Sequence, residues 1–434
     1  MSLVYAIKAS YLVVSLHVSI PFSDEWSELP KMAILWQEGM QLQDIVSYIL
    51  APHNEHWIVF TKMLYLIDLA LFSYTGIFLL AVSLLMQCLL AAMLISLFLS
   101  RSRNEGGASV FYAALVLAML FSLAQYENFV STFQTAFIGC LFFATASIYT
   151  FVNYIQSEKY IWLICSIASG ILSTLSLAPG IFIWISLAGL AYILNRKSPM
   201  RWVFVGTFAA VLCFYLLTYQ SQASPVENIV SHPFKFVHYQ VTLIGSIAGN
   251  VQVAVWLGCC GVAAYGILTY LMFTTRDNKE IEQWAFFFIC TFMLMSGFLI
   301  ALGRVSLGVL QAMSSRYTTP IFIFWVCLIA NYWLIAYKNK NEKVARVGMA
   351  FVLGIWLFLI VNNSKFESVL YARKNGLSEV ATAITTGSYK DNPSILRRLG
   401  LATSPELIAG QIDFLRINKL SLFSKSKDEQ YVSN

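Results

Sequence analysis

The chain has 434 residues, 58% of them hydrophobic and only 12% charged, with a formal net charge of +6 and a mean hydropathy of +0.69. Soluble domains carry about 25% charged residues, so an ordinary soluble globular protein is excluded. The eight cysteines all fall inside apolar segments with no CxxC pair, which leaves a disulfide framework or a zinc site without support.

A membrane-spanning helix needs about 20 mostly apolar residues. Such stretches recur at 5–22, 76–100, 108–124, 132–153, 160–178, 180–195, 202–219, 247–273, 284–302, 317–337 and 345–363. The reading is an all-α polytopic membrane protein with about eleven transmembrane helices. The first stretch holds one lysine, Lys8, and no small-residue cleavage site follows it. It reads as a retained span, not a removed signal peptide.

A polar stretch, 23–75, separates the first two spans. It opens with Asp24-Glu25-Trp26 and carries His53-Asn54-Glu55-His56. The part from 57 to 74 includes Lys62 and Asp68, yet Ile58, Met63, Leu64, Ile67 and Leu71 recur at helical spacing. That pattern predicts an amphipathic helix lying in the membrane interface. Another interfacial helix is predicted near 27–50, with Pro52 between the two.

With the N-terminus inside, the inner segments carry thirteen Lys and Arg and the outer loops five. The positive-inside rule therefore puts the N-terminus inside and the polar 23–75 loop and the C-terminus outside. Counting 57–75 as a span would reverse the downstream loops against that rule. The chain divides into a transmembrane part, 1–363, and a tail, 364–434. In the tail Asn392-Pro393 and Ser404-Pro405 are helix-start signals and Gly400 a stop signal. Leu407, Ile408, Ile412 and Leu415 mark an apolar face, so a small helical piece on the outer surface is expected. Residues 424–434 are expected to be disordered.

The polar residues of the outer loops are the candidates for chemistry. Asp24 and Glu25 follow the first span, where a carboxylate ionises cheaply; within the bilayer it would cost about 2.5–3.5 kcal/mol. Two readings stand level: a general base that takes a proton from a hydroxyl, or a solvated acidic turn with Asp24 capping the next helix. His53, Asn54, Glu55 and His56 suit hydrogen bonding to a sugar or phosphate. A divalent cation is the weaker reading, since the spacing is not His-Glu-x-x-His. Glu127 and Asn128 sit in the short second outer loop, with Gln134 just inside the next span. Arg304, Arg316 and Tyr317 flank a late outer loop. Arginine pairs with phosphate through a planar fork, and headgroup snorkelling is the competing reading. His232, Lys235 and His238 lie in the outer loop 220–246 and either line the same cavity or decorate the loop. No basic, aromatic-interleaved patch supports nucleic-acid binding.

Acids for an acceptor hydroxyl and arginines for a departing phosphate on one membrane face describe glycosyl transfer from a lipid phosphate. Here the chain resembles the multi-spanning GT-C glycosyltransferases. The resemblance rests on Asp24-Glu25 after the first span, the large first outer loop and the polar tail. It is also similar to bacterial members with a His-Asn-Glu-His motif (53–56), Glu-Asn then Phe-Gln (Glu127-Asn128, Phe133-Gln134), Gly303-Arg304 and Ser315-Arg316-Tyr317. Where those proteins continue with arginine this chain has Trp57, and Lys62, about a turn later, is the candidate substitute. In size and topology it looks like the Gtr-type enzymes that add glucosyl branches to O-antigen.

The resemblance implies a polyprenyl-phosphate-linked sugar donor, a cell-surface glycan acceptor and the inner membrane of a bacterium, with the C-terminus periplasmic. It implies Asp24 as the base of an inverting displacement, Glu25, Glu55 and Glu127 orienting the acceptor, and Arg304 and Arg316 holding the donor phosphate. A transporter or flippase of lipid-linked glycans is disfavoured by nearly charge-free spans. A polymerase or ligase is disfavoured because the large internal loop comes first.

Overall fold

The computed structural model describes all residues except 55, 103–105, 195–198, 219–230, 275–279, 339–341, 401–407 and 425–434. The described residues are almost wholly helical, and no strand forms among them. In chain order the helices are α1 (Ser2–Ser15), α2 (Glu25–Gln37), α3 (Leu42–Leu50), α4 (Val59–Leu71), α5 (Ile77–Ser102), α6 (Gly106–Leu120), α7 (Tyr126–Val130), α8 (Thr135–Ser157) and α9 (Tyr160–Thr174). There follow α10 (Phe182–Leu194), α11 (Met200–Thr218), α12 (Pro233–Ile244), α13 (Val251–Thr274), α14 (Ile281–Arg304), α15 (Thr318–Lys338), α16 (Glu342–Thr386) and α17 (Ala409–Ile417).

Seven segments among the described residues, 19 to 27 residues long, are long and apolar enough to cross a membrane. The outer members of this bundle expose Trp202, Phe214, Leu217 and Trp256. Water would penalise such a surface and lipid would cover it. Three predicted spans form shorter helices: α1, α9 and α10, of 14, 15 and 13 residues. Pro179 opens the turn before α10, and Gly180 lets that turn pack on the end of α9, for a Cβ there would lie 2.1 Å from the Ser173 carbonyl oxygen. The predicted span 345–363 lies inside α16, whose 45 residues measure about 68 Å at 1.5 Å per residue. That is about twice the ~30 Å hydrocarbon thickness of a bilayer, and the far end of the helix, from Leu377 to Ile384, packs with the polar loop.

The polar loop and the tail share a second core. Trp26, Leu29, Met32, Tyr48, Tyr65 and Leu69 pack with Leu377, Val380, Ile384, Leu396, Ile412 and Leu415. The Ser23 amide donates to the Leu399 carbonyl at 2.8 Å, and the Ser421 amide to the Ser73 carbonyl at 2.7 Å. The expected apolar face at Ile408, Ile412 and Leu415 is buried here. Leu407, the Ser404-Pro405 signal and nearly all of 424–434 lie outside the described residues.

The loop departs from the expected pair of interfacial helices. The segment 27–50 breaks into α2 and α3 at Gly39 and Met40, both with positive φ. In α4 the polar side faces inward: Lys62 and Asp68 are fully buried, while Met63, Ile67 and Leu71 are exposed. Asp68 accepts the Gly76 amide at 2.9 Å, and burial pushes its carboxyl up to about 6. Lys62 donates to the carbonyls of Tyr48 (3.1 Å) and Ala51 (2.7 Å). It therefore ties α3 to α4 and lines neither of the cavities at Asp24 described below, so it does not replace the missing arginine there.

Candidate active site

The turn at Ser23 (φ +53) delivers Asp24 to the start of α2. Its carboxylate makes no capping hydrogen bond, which removes the helix-cap reading. Asp24 instead lines two adjoining cavities. The smaller, about 90 Å³, also has His53, Asn54, His56, Gln134, Arg304, Arg316 and Tyr317 in its wall. The larger, about 680 Å³, is lined by Glu127, Gln134, Arg316, Arg373, Glu379 and Arg398 among others, and its size suits a small-molecule site. Asp24, Phe133, Gln134 and Arg316 belong to both walls.

His53 and His56 close a tight turn by exchanging backbone hydrogen bonds of 2.8 and 2.9 Å, with Asn54 in the left-handed region at φ +50. Glu55, between them, lies outside the described residues. The His53 Nδ1 sits 2.7 Å from Glu28, a fully buried carboxylate that also pairs with Lys31 at 2.9 Å and Lys62 at 3.6 Å. Burial pushes the Glu28 carboxyl up, but the His53 hydrogen bond and the two lysines outweigh it and hold it near 2. Burial draws the Lys62 ammonium down, against the pull of Glu28. The far nitrogen of His53, Nε2, is buried and has no hydrogen-bond partner among the described residues.

Glu25 points away from both cavities. It is 4% exposed and accepts the Phe133 amide at 3.3 Å. Burial pushes its carboxyl up to about 7, with Thr132 and the Phe22 and Phe133 amides pulling the other way. Asn128 is buried too. It donates to the Arg316 carbonyl (2.9 Å) and to Thr319 (2.7 Å), and Thr319 donates to Gln125 at 2.6 Å. It therefore locks the α7 turn against the turn that carries Arg316. Glu127 holds the Arg316 side chain at 3.1 Å. Among the described residues no three of His, Cys, Asp and Glu come together to hold a metal ion.

Sequence reasoning missed Arg373 and Arg398. Arg373 lies over the Phe22 ring at 4.5 Å, and burial draws its guanidinium down against the pull of Glu25 and Glu127. Arg398 pairs with Glu379. A signal for Arg373 existed. Leu370, Leu377, Val380 and Ile384 form a buried stripe on α16, and position 373 falls on it at i+3 from 370 and i−4 from 377. A cation on an apolar stripe needs a reason.

A scan against protein-family models and a search of curated proteins find no match to this chain. The class is therefore stated from the fold alone: an all-α protein with several helices long and apolar enough to be membrane-embedded.

Proposed function

We propose that this protein is a membrane glycosyltransferase that moves a hexose such as glucose from a polyprenyl phosphate to a cell-surface glycan, with O-antigen as the candidate acceptor. The observation that carries the reading is the position of Asp24 in the shared wall of two cavities. The small one offers Arg304 and Arg316 for a lipid phosphate. The large one has room for a glycan end. In this scheme Asp24 takes the proton of an acceptor hydroxyl, whose oxygen attacks the anomeric carbon as the bond to the phosphate oxygen breaks. Configuration inverts, and the arginines stabilise the negative charge left on the polyprenyl phosphate. His53, with Nδ1–H tied to Glu28, offers Nε2 to a donor hydroxyl.

In the same proposal the short helices and α16 complete eleven crossings. The protein sits in a bacterial inner membrane with its N-terminus cytoplasmic and its C-terminus and both cavities periplasmic. The direct test is transfer of labelled hexose from its polyprenyl phosphate to purified acceptor by the protein in nanodiscs. Asp24→Asn is expected to lower turnover by about 10²-fold or more, the scale of general base catalysis, with an unchanged melting profile. Wild-type turnover in that variant removes the base, and no transfer by the wild type with any hexosyl donor removes the reading.

A further inference from the structure

A third cavity, of about 510 Å³, lies between α12 and the turn 305–309 and shares no lining residue with the two at Asp24. Lys235 and His238 line it from α12 and His232 from the residue that precedes the helix, at spacings of three, and Ser306 and Gly308 close it from the turn. No carboxylate is among its described lining residues. Tyr239, 1% exposed, belongs to the wall, and its hydroxyl is buried without a hydrogen-bond partner among the described residues. The wall thus offers an ammonium, two imidazoles and the Ser306 side chain, the donor set of an oxyanion site.

The surface beside the lining residues is apolar. Phe234, next to Lys235 in the chain, is 88% exposed. Leu307 and Leu310, next to the lining residues of the turn, are 60% and 74% exposed. A free phosphate site needs no such neighbours. A cationic pocket with bare apolar side chains beside it, on a protein with several apolar helices of spanning length, matches an amphiphile with an anionic head. The helices under it are closely packed. A Cβ on Gly258 of α13 would lie 1.7 Å from the Val241 carbonyl oxygen, and one on Gly245 would lie 1.8 Å from that of Ala254. Small residues here let α12 and α13 touch backbone to backbone.

We propose that the cavity between α12 and the 305–309 turn is a separate binding site for the phosphate of an anionic lipid, with Lys235, His232 and His238 as the phosphate ligands and the exposed Phe234, Leu307 and Leu310 beside it meeting the chains. The site stands apart from the transferase reading, because its test needs no turnover. The full chain in phosphatidylcholine nanodiscs is irradiated with a trace of photoreactive phosphatidic acid, or with photoreactive diacylglycerol of the same chains. Phosphatidic acid is expected to label 232–239 and 305–310 several-fold above diacylglycerol. The combined His232→Gln, Lys235→Gln and His238→Gln variant is expected to fall to the diacylglycerol level, while Lys235→Arg retains labelling. Unchanged labelling of α11 and an unchanged elution profile show that the variant is folded. Equal labelling by both lipids, or full labelling of the triple variant, overturns the site. Binding of inorganic phosphate as tight as that of phosphatidic acid overturns the lipid as its source.

Discussion

Glu28 accepts the Nδ1 hydrogen of His53 at 2.7 Å, inside a wall where Glu28 is fully shielded from water and His53 nearly so. An ionised carboxylate can only accept, so Nδ1 must carry the proton and the buried Nε2 is left without a partner among the described residues. The pair fixes both the tautomer and the ring orientation. It also makes Glu28 the centre of a charge cluster that joins α2, the 53–56 turn and α4 through Lys31, His53 and Lys62.

Glu28→Gln is expected to destabilise the fold at pH 7 by about 3 kcal/mol, since it strands a buried lysine. The pH dependence follows from the depressed carboxyl. Its folded value near 2 lies below the ordinary 4.5, so the stabilisation is present above about 4.5 and is lost as pH falls toward 2. Melting curves from pH 7 to pH 2.5 should converge for the two proteins. A gap that stays constant with pH would refute the charge cluster.

Glu25→Gln tests the opposite sign. Glu25 is held up at about 7 against an ordinary 4.5, so the folded state binds the extra proton. Stability should fall as pH rises from about 4.5 through 7. The glutamine variant keeps a neutral side chain at the Phe133 amide and is expected to flatten that fall, giving the higher melting temperature at pH 8. The same slope in both proteins would show that Glu25 is not buried as an acid.

Arg316 lines the small cavity and is held by Glu127. Arg316→Ala is expected to raise the donor KM about tenfold or more, the scale of one charge-assisted hydrogen bond. The measurement is initial rate against donor concentration at saturating acceptor. An unchanged donor KM would leave Arg316 a structural partner of Glu127 and nothing more.

Arg373 lines the large cavity but not the small one. Arg373→Gln is therefore expected to raise the acceptor KM about tenfold, again about 1.4 kcal/mol, with little change in the donor KM. A rise in donor KM alone would place Arg373 on the lipid phosphate and reverse the two cavities' roles.

Several features were legible without any structure. Helical spacing predicted that Ile408, Ile412 and Leu415 face a core, and they are buried. His53, Asn54, His56, Gln134, Arg304, Arg316 and Tyr317, scattered through the chain, meet in one small cavity with Asp24. Hydropathy singled them out as polar groups between or at the ends of apolar segments, because few polar groups can stay in the bilayer. Asp24 and Glu25 could not be separated that way. Successive residues at a helix start point about 100° apart, and only the packing of α2 against Phe133 turns one carboxylate inward and leaves the other in the cavities.

Composition and periodicity by themselves determined which segments are apolar helices, since transfer from water into lipid is a property of each segment alone. They also determined that α4 has two faces. The tertiary structure decided which face turns inward, because Lys62 and Asp68 find Glu28, carbonyls and a backbone amide only once α2, α3 and the 72–76 turn are in place. It likewise decided that the loop and the tail form one layer. Their contact joins residues more than 300 positions apart, as in Ser23 with Leu399, and no local pattern encodes such a pairing.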